Sequence, residues 1–263
     1  MERVEQFEAL APRLSAQMKR GVVTNNFLSR EEYDREIAAG LLVHETPGCL
    51  QLLRRRQDYY VLNFYLQPDA VPALPPVDLP VVLELVWRPK DAAVMAAAAA
   101  RFEALGFVRQ FSRKRWQRQP EPWNPSEPVR FAGPEDAAAV LALMEQSFDH
   151  FGGCIPARGA LEQDLSGRLI LTTWDEAGIT GLLHFQRGRA ASEIRHLAVR
   201  TDCRKLGLGS ALLGAYLQET QGQKSQVWAR QGNVPAERFY EKYAYRPDGW
   251  ESVVLLAGGK EPV

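Results

Sequence analysis

ASEIRHLAVRTDCRKLGLGSALLGAYLQET, residues 191–220, decides how the chain is read. Residues 191–199 alternate as a strand does, residues 210–220 have helical spacing, and the turn between them holds Gly207 and Gly209. A turn that opens a helix leaves several backbone N–H groups without intrahelical acceptors at the positive end of the helix dipole. Such a turn suits a pyrophosphate, and glycine lets a phosphate approach the main chain with no Cβ in the way. Arg204 and Lys205 add positive charge at its rim. A dinucleotide fingerprint needs a small residue where Leu212 stands, and an ATP-type P-loop needs Gly-Lys-Ser/Thr where the chain has Gly209-Ser210-Ala211. Both fail. An ordinary strand–helix turn with structural glycines stays open on these residues alone.

Working outward, strands are expected at LILTTW, ITGLLHFQRG and KSQVWAR, with a helix at VPAERFYEKY and a last strand at WESVVLLA. Upstream come VRFA, a helix over Pro134–Phe148 and a helix or loop over 157–167. The stretch QPEPWNPSEP, 119–128, has four prolines that remove backbone donors, and it reads as a linker. It implies domains at 1–118 and 129–263. In the first, helical spacing covers 3–19 and 30–39, and Ser29 and Glu32 have the spacing of a capping box. CLQLLRR and YYVLNFYLQ flank Gln57-Asp58 as a hairpin, VVLELVW (81–87) reads as a buried strand, and the alanine-rich run Asp91–Leu105 is a helix stopped by Gly106. VRQFSRKRW then resumes as an amphipathic strand with Phe111 inward.

The 263 residues hold 32 Lys+Arg against 32 Asp+Glu, so no net field favours nucleic acid or an acidic membrane surface. The basic run Arg109–Arg118 is read as a solvated strand face. Cys49, Cys154 and Cys203 are widely spaced and odd in number, which suggests neither a disulfide framework nor a zinc site. Glu2, Glu5 and Glu8 break the apolar run that a signal peptide requires, and no stretch of about 18 apolar residues occurs. A cytoplasmic protein without metal, nucleic-acid or membrane partners is expected, as monomer or homodimer.

Arg204-Lys205-Leu206-Gly207-Leu208-Gly209 resembles the [R/Q]-x-x-G-x-[G/A] motif of the GNAT superfamily of N-acetyltransferases. The preceding Leu197-Ala198-Val199 looks like that family's β4 segment. Asn233-Val-Pro-Ala236-Glu-Arg-Phe239-Tyr240-Glu-Lys-Tyr-Ala-Tyr245 looks like its late N-x-x-A-x-x-F-Y-x-x-x-G-F segment, with Ala244 where the family usually has Gly. The resemblance spans about 129–256. It implies an α/β fold with a central mixed twisted sheet flanked by helices, and acetyl-CoA as cosubstrate.

It further implies that main-chain groups of Leu197 and Val199 hold the pantetheine arm. The amides of Arg204, Lys205, Leu206, Gly207, Leu208, Gly209 and Ser210 would bind the pyrophosphate. Asn233 would touch the arm from the other side, and Tyr240 would protonate the departing thiolate. A base is needed to deprotonate an ammonium acceptor, and strand alternation puts Glu193 on one face with Leu197 and Val199. An ion-paired surface carboxylate is the plainer reading of Glu193. His196 falls on the opposite face, His150 and His184 have no assigned partner, and Cys203 reads as a small turn residue.

Residues 40–118 have an element order like the second half of the same fold, and Ala104-Leu105-Gly106-Phe107 resembles its closing Gly-Phe. No R-x-x-G-x-G run precedes the linker. The first domain is therefore expected to be a degenerate GNAT-like partner in a tandem chain, without a CoA site. Acyl transfer to a small-molecule or peptide amine is the expected function. A noncatalytic CoA-binding module, or aminoacyl or peptidyl transfer on the same scaffold, are the alternatives.

Overall fold

The computed structural model describes residues 1–18, 20–121 and 129–258, so most of the proline-rich stretch 119–128 lies outside the described residues. The chain divides into two units, Met1–Ser112 with Gly249–Val263, and Arg113–Asp248.

The first unit contains β1 (Glu2–Arg3), α1 (Phe7–Gln17), β2 (Val23–Thr24), α2 (Arg30–Ala38), β3 (Leu42–Thr46), β4 (Cys49–Arg55), β5 (Tyr60–Leu66), β6 (Val81–Trp87) and α3 (Ala92–Glu103). The capping box forms as its spacing implies: the Ser29 amide donates to Glu32 Oε2 at 2.7 Å and the Glu32 amide to Ser29 Oγ at 3.3 Å. Strand order is β1-β3-β4-β5-β6, and β4 and β5 form the expected antiparallel hairpin. Period-2 alternation splits the apolar residues between two faces. Leu53, Leu62, Phe64 and Leu83 pack with Ala99 and Phe102 of α3, whereas Leu50, Leu52 and Tyr65 pack with Leu10 of α1 and Tyr33 of α2. Each fully buried Leu or Phe contributes roughly 1.5–3 kcal/mol of transfer free energy.

The second unit contains β8 (Arg130–Phe131), α4 (Ala137–Ser147), α5 (Arg158–Ser166), β9 (Ile170–Asp175), β10 (Gly178–Arg187), β11 (Ala191–Val199), α6 (Leu208–Glu219), β12 (Lys224–Arg230) and α7 (Val234–Lys242). Residues of β7 (Val108–Arg118) complete it, and the order is β7-β12-β11-β10-β9-β8. One face packs on α6 and α7 through Phe185, Ile194, Val227 and Trp116; the other packs on α4 and α5 through Leu182 and Ala198.

The units part at positions other than those the prolines suggested. Arg113–Arg118 pair antiparallel with Arg230–Ser225 of β12. The last strand, β13 (Arg246–Ala257), gives Glu251–Ala257 to β6, where Val253, Leu255 and Ala257 enter the first unit's core. β7 also buries other residues than expected: Trp116 and Arg118 are inside, with Arg118 Nε donating to the Tyr243 carbonyl at 3.1 Å, whereas Phe111 is half-buried.

The two units end their last helices identically. In α3, Leu105, Gly106 and Phe107 donate to the carbonyls of Phe102, Glu103 and Phe102; in α7, Tyr243, Ala244 and Tyr245 donate to those of Tyr240, Glu241 and Tyr240. Each terminus needs a left-handed residue, Gly106 at φ 92° and Ala244 at φ 60°. A Cβ there costs roughly 1–2 kcal/mol, partly offset by the freer unfolded chain that glycine brings. Ala244→Gly should therefore stabilise the chain by about 0.5–1 kcal/mol, read as a rise in Tm. A lower Tm would mean that the methyl contributes packing that outweighs the strain.

Candidate functional site

β10 pairs with β11 along Ser192–Val199, occupying one edge of β11. On the other edge β12 runs parallel, but only Ala191–Ile194 pair with Lys224–Val227. Hydroxyl groups fasten this paired end: Ser192 Oγ, Tyr216 Oη, Ser225 Oγ and Tyr245 Oη form a buried chain with links of 2.6, 2.8 and 2.5 Å. Beyond Ile194 the strands diverge. Among the described residues no strand pairs with that edge of Arg195–Val199, which leaves backbone donors and acceptors facing a slot.

The strand then enters the turn. Gly207 caps α6 at φ 85°, and Lys205 is also left-handed at φ 67°. The Ser210 and Ala211 amides donate to the Gly207 carbonyl at 2.9 and 3.0 Å, and the Arg204 amide makes a long 3.5 Å bond to Thr201. Consecutive amides from Lys205 to Gly209 have no hydrogen-bond acceptor among the described residues. Of the amides at 204–210 that the motif implies for a pyrophosphate, the two end members thus already donate within the chain. A Cβ built on Gly209 would stand 3.6 Å from the Phe239 ring and 3.8 Å from Val199 Cγ2, so turn, strand and α7 meet there. Arg204 and Lys205 are exposed, and a cavity of about 350 Å³ lined by Gln146, Ser147, Arg200, Thr201 and Arg204 opens beside the turn.

Leu197, Val199, Phe239 and Tyr240 belong to one apolar cluster. Tyr240 is buried, with the Phe239 and Tyr245 rings each 5.4 Å away, and burial holds its phenol protonated well above the usual range. Among the described residues nothing bonds its hydroxyl. Asn233 is exposed and caps α7, its Oδ1 accepting from the Ala236 amide at 3.3 Å. Cys203 is buried against Arg200, whose Nη2 lies 3.2 Å from the thiol, and burial raises its pKa; this suits a turn residue and opposes a nucleophile.

Glu193 is not on the face expected. The β10–β11 register shifts so that His184 faces His196 while Phe185 faces Ile194, which makes Arg195 a bulge. Ile194 consequently shares the α6/α7 face with Leu197 and Val199, and Glu193 lies on the other, opposite Gln226, which in turn faces Gln117. The carboxylate is 31% exposed and 3.3 Å from Arg195.

On that same face lies a group of histidines that sequence reasoning left unconnected. His196 Nε2 donates to the Gly153 carbonyl at 2.8 Å, so its Nδ1 carries the lone pair and accepts from His184 Nδ1 at 3.1 Å. His184 Nε2 lies 3.2 Å from Asp164 Oδ2. Arg113 Nη2 donates to the Gly152 carbonyl, so the 149–154 loop is tied both to β11 and to β7.

Burial first, then the charges of His184, Arg195 and Arg113, push His196 down to about 3, against the Gly153 bond, which favours the charged ring. Unfolded, it titrates near 6.5. Between those values the unfolded chain binds a proton that the native one does not, so stability falls as pH drops from about 6.5 toward 3. His196→Gln should flatten this acid limb by up to one proton, about 1.4 kcal/mol per pH unit. Unchanged Tm-versus-pH slopes would mean that the native ring is free to protonate.

Among the described residues no group of three or more His, Cys, Asp or Glu is placed to hold a metal, and no helix is long and apolar enough to cross a membrane. Residues 140–254 match the family model described as Acetyltransferase (GNAT) domain. A comparison with curated proteins finds no match. Among solved structures, the chain is similar over 97% of its length to a GNAT-family acetyltransferase from Colwellia psychrerythraea, 98% of which is covered, at 12% identity and a TM-score of 0.55. A Drosophila protein is similar over 96% of this chain and 88% of its own at 15% identity and a TM-score of 0.57. A GCN5-related N-acetyltransferase from Sphaerobacter thermophilus is similar over 80% and 76% at 15% identity and a TM-score of 0.55. At these identities the structural likeness speaks for the fold alone, and the motif-bearing strand, turn and late helix all fall inside residues 140–254, the part of the chain that matches the GNAT acetyltransferase domain.

Proposed function

We propose that this chain transfers an acyl group from acyl-CoA, with acetyl-CoA the simplest donor, to a primary amine on a small molecule or peptide. One observation carries the reading: a strand edge that no described strand pairs with, its Val199 carbonyl taking a long 3.5 Å bond from Arg204 Nε, runs directly into five consecutive amides without an acceptor among the described residues. An extended arm bearing amides fits the first, and a pyrophosphate fits the second.

In this reading Leu197 and Val199 hold the arm through main-chain groups, and a donor there polarises the thioester carbonyl. The amides of Lys205–Gly209 take the pyrophosphate, with Arg204 and Lys205 at the rim. The exposed Asn233 amide group approaches from α7. Glu193, through a water molecule, takes the ammonium proton, the amine forms the new C–N bond as the C–S bond breaks, Tyr240 gives its proton to the departing thiolate, and the second proton released by the acylated nitrogen restores that of Tyr240. The face that carries Glu193 also carries the loop tied down by His196 and Arg113, so acceptor binding belongs on that side.

The test is thiol release from acetyl-CoA across a panel of amines. Amine-dependent release supports transfer. Tight acetyl-CoA binding with no release from any amine would favour a noncatalytic CoA-binding module.

A further inference from the structure

We infer that the first unit holds a second copy of this cleft whose occupant is the chain's own segment Val23–Asn26, leaving one acyl-CoA site per chain. The identity of the excluded ligand rests on the function proposed above; the filled slot does not.

β5 is built like β11. One edge pairs antiparallel with β4 along its whole length, Tyr60–Leu66, and the other pairs parallel with β6 at only three positions, Tyr60–Leu62 with Val81–Leu83. Where β12 departs from β11 the edge stays open, but where β6 departs from β5 the edge is taken. β2 pairs there, Val23 with Leu66 and Thr24 with Tyr65. The next residue bridges the diverging strands: buried Asn25 donates through Nδ2 to the carbonyls of Leu62 on β5 and Glu84 on β6, both at 2.9 Å, while its Oδ1 accepts from the Phe64 amide at 2.8 Å. Thr24 Oγ1 donates to the Phe64 carbonyl at 2.5 Å, and Asn63 Nδ2 to the Asn25 carbonyl at 3.1 Å. A carboxamide thus satisfies the groups that an amide-bearing arm would meet.

Two further differences agree. The β5–β6 connection, Gln67–Pro80, contains five prolines and no helix, so no run of N-terminal amides awaits a pyrophosphate. In the hydrogen-bond pattern shared by the ends of α3 and α7, the Phe102 carbonyl accepts where that of Tyr240 does, and Phe102 has no hydroxyl to donate. Slot, anion site and acid are each absent or filled in the same unit.

The test uses the intact chain in two measurements. Calorimetric titration with acetyl-CoA should give one site per chain, weakened about a hundredfold in Gly209→Val. Hydrogen exchange should show the Phe64 amide protected before and after acetyl-CoA is added, and exchanging at least about tenfold faster in Asn25→Ala. Two sites per chain, one site of unchanged affinity in Gly209→Val, or a Phe64 amide exchanging as freely as in an unfolded chain would overturn the inference. No binding at all with Phe64 protected would sink the acyl-CoA reading while leaving the filled slot standing.

Discussion

Tyr240→Phe lowers the kcat for acyl transfer by about a hundredfold or more and leaves acetyl-CoA affinity within about a factor of two. The variant removes one oxygen from a ring fixed on three sides by Phe239, Tyr245 and the apolar cluster of Leu197 and Val199, so packing and fold should survive. What goes is a proton donor that burial keeps neutral at any working pH. A thiolate expelled into an apolar slot without a donor is poorly solvated, and the loss falls on the transition state and not on the ground state. Presteady-state thiol release with dissociation constants measured alongside would check this. An unchanged kcat would remove Tyr240 from the mechanism and make it a packing residue like its counterpart Phe102.

Gly209→Val should weaken acetyl-CoA binding by about a hundredfold, near 2.7 kcal/mol, with Tm lowered by only a few degrees. The Cβ itself meets Phe239 and Val199 at ordinary contact distances, so the fold can accept it. Its two methyl groups would instead cover the amides of the turn, which a phosphate must reach closely. If affinity is unchanged by titration, the pyrophosphate does not sit at 205–209 and the turn is an ordinary strand–helix connection.

Much of the second unit was legible because its signals are local. The Gly207-Leu208-Gly209 turn and the helical spacing that follows it each state their own geometry within a few residues. The failures came where partners decide. Alternation along Glu193–Val199 assumes an even pleat, and nothing in Arg195 marks it as a bulge, so the face of Glu193 was misread. His184 and His196 look unrelated until an antiparallel register brings their ring nitrogens to 3.1 Å. The apolar pattern of Val253, Leu255 and Ala257 says that a strand has a buried face but not that it pairs with β6, so the unit boundary was placed by proline content instead. In the same way, nothing in the sequence around Asn25 tells that it bridges two strands 37 and 59 positions away.

The first unit was expected to be a degenerate partner because it lacks the motif; it also has a filled strand edge, a proline-rich connection and a phenylalanine at the end of α3 where α7 has a tyrosine. Asn25 makes the hydrogen bonds that an empty slot would leave to water.

The central claim is that Arg195–Val199 and Lys205–Gly209 together hold an acyl-CoA. Amide hydrogen exchange of the intact chain with and without saturating acetyl-CoA tests it residue by residue. Protection should rise at Leu197 or Val199 and at several amides between Lys205 and Gly209, with Phe64 unchanged. Binding that leaves those two segments exchanging as before, with protection gained elsewhere, would contradict the account.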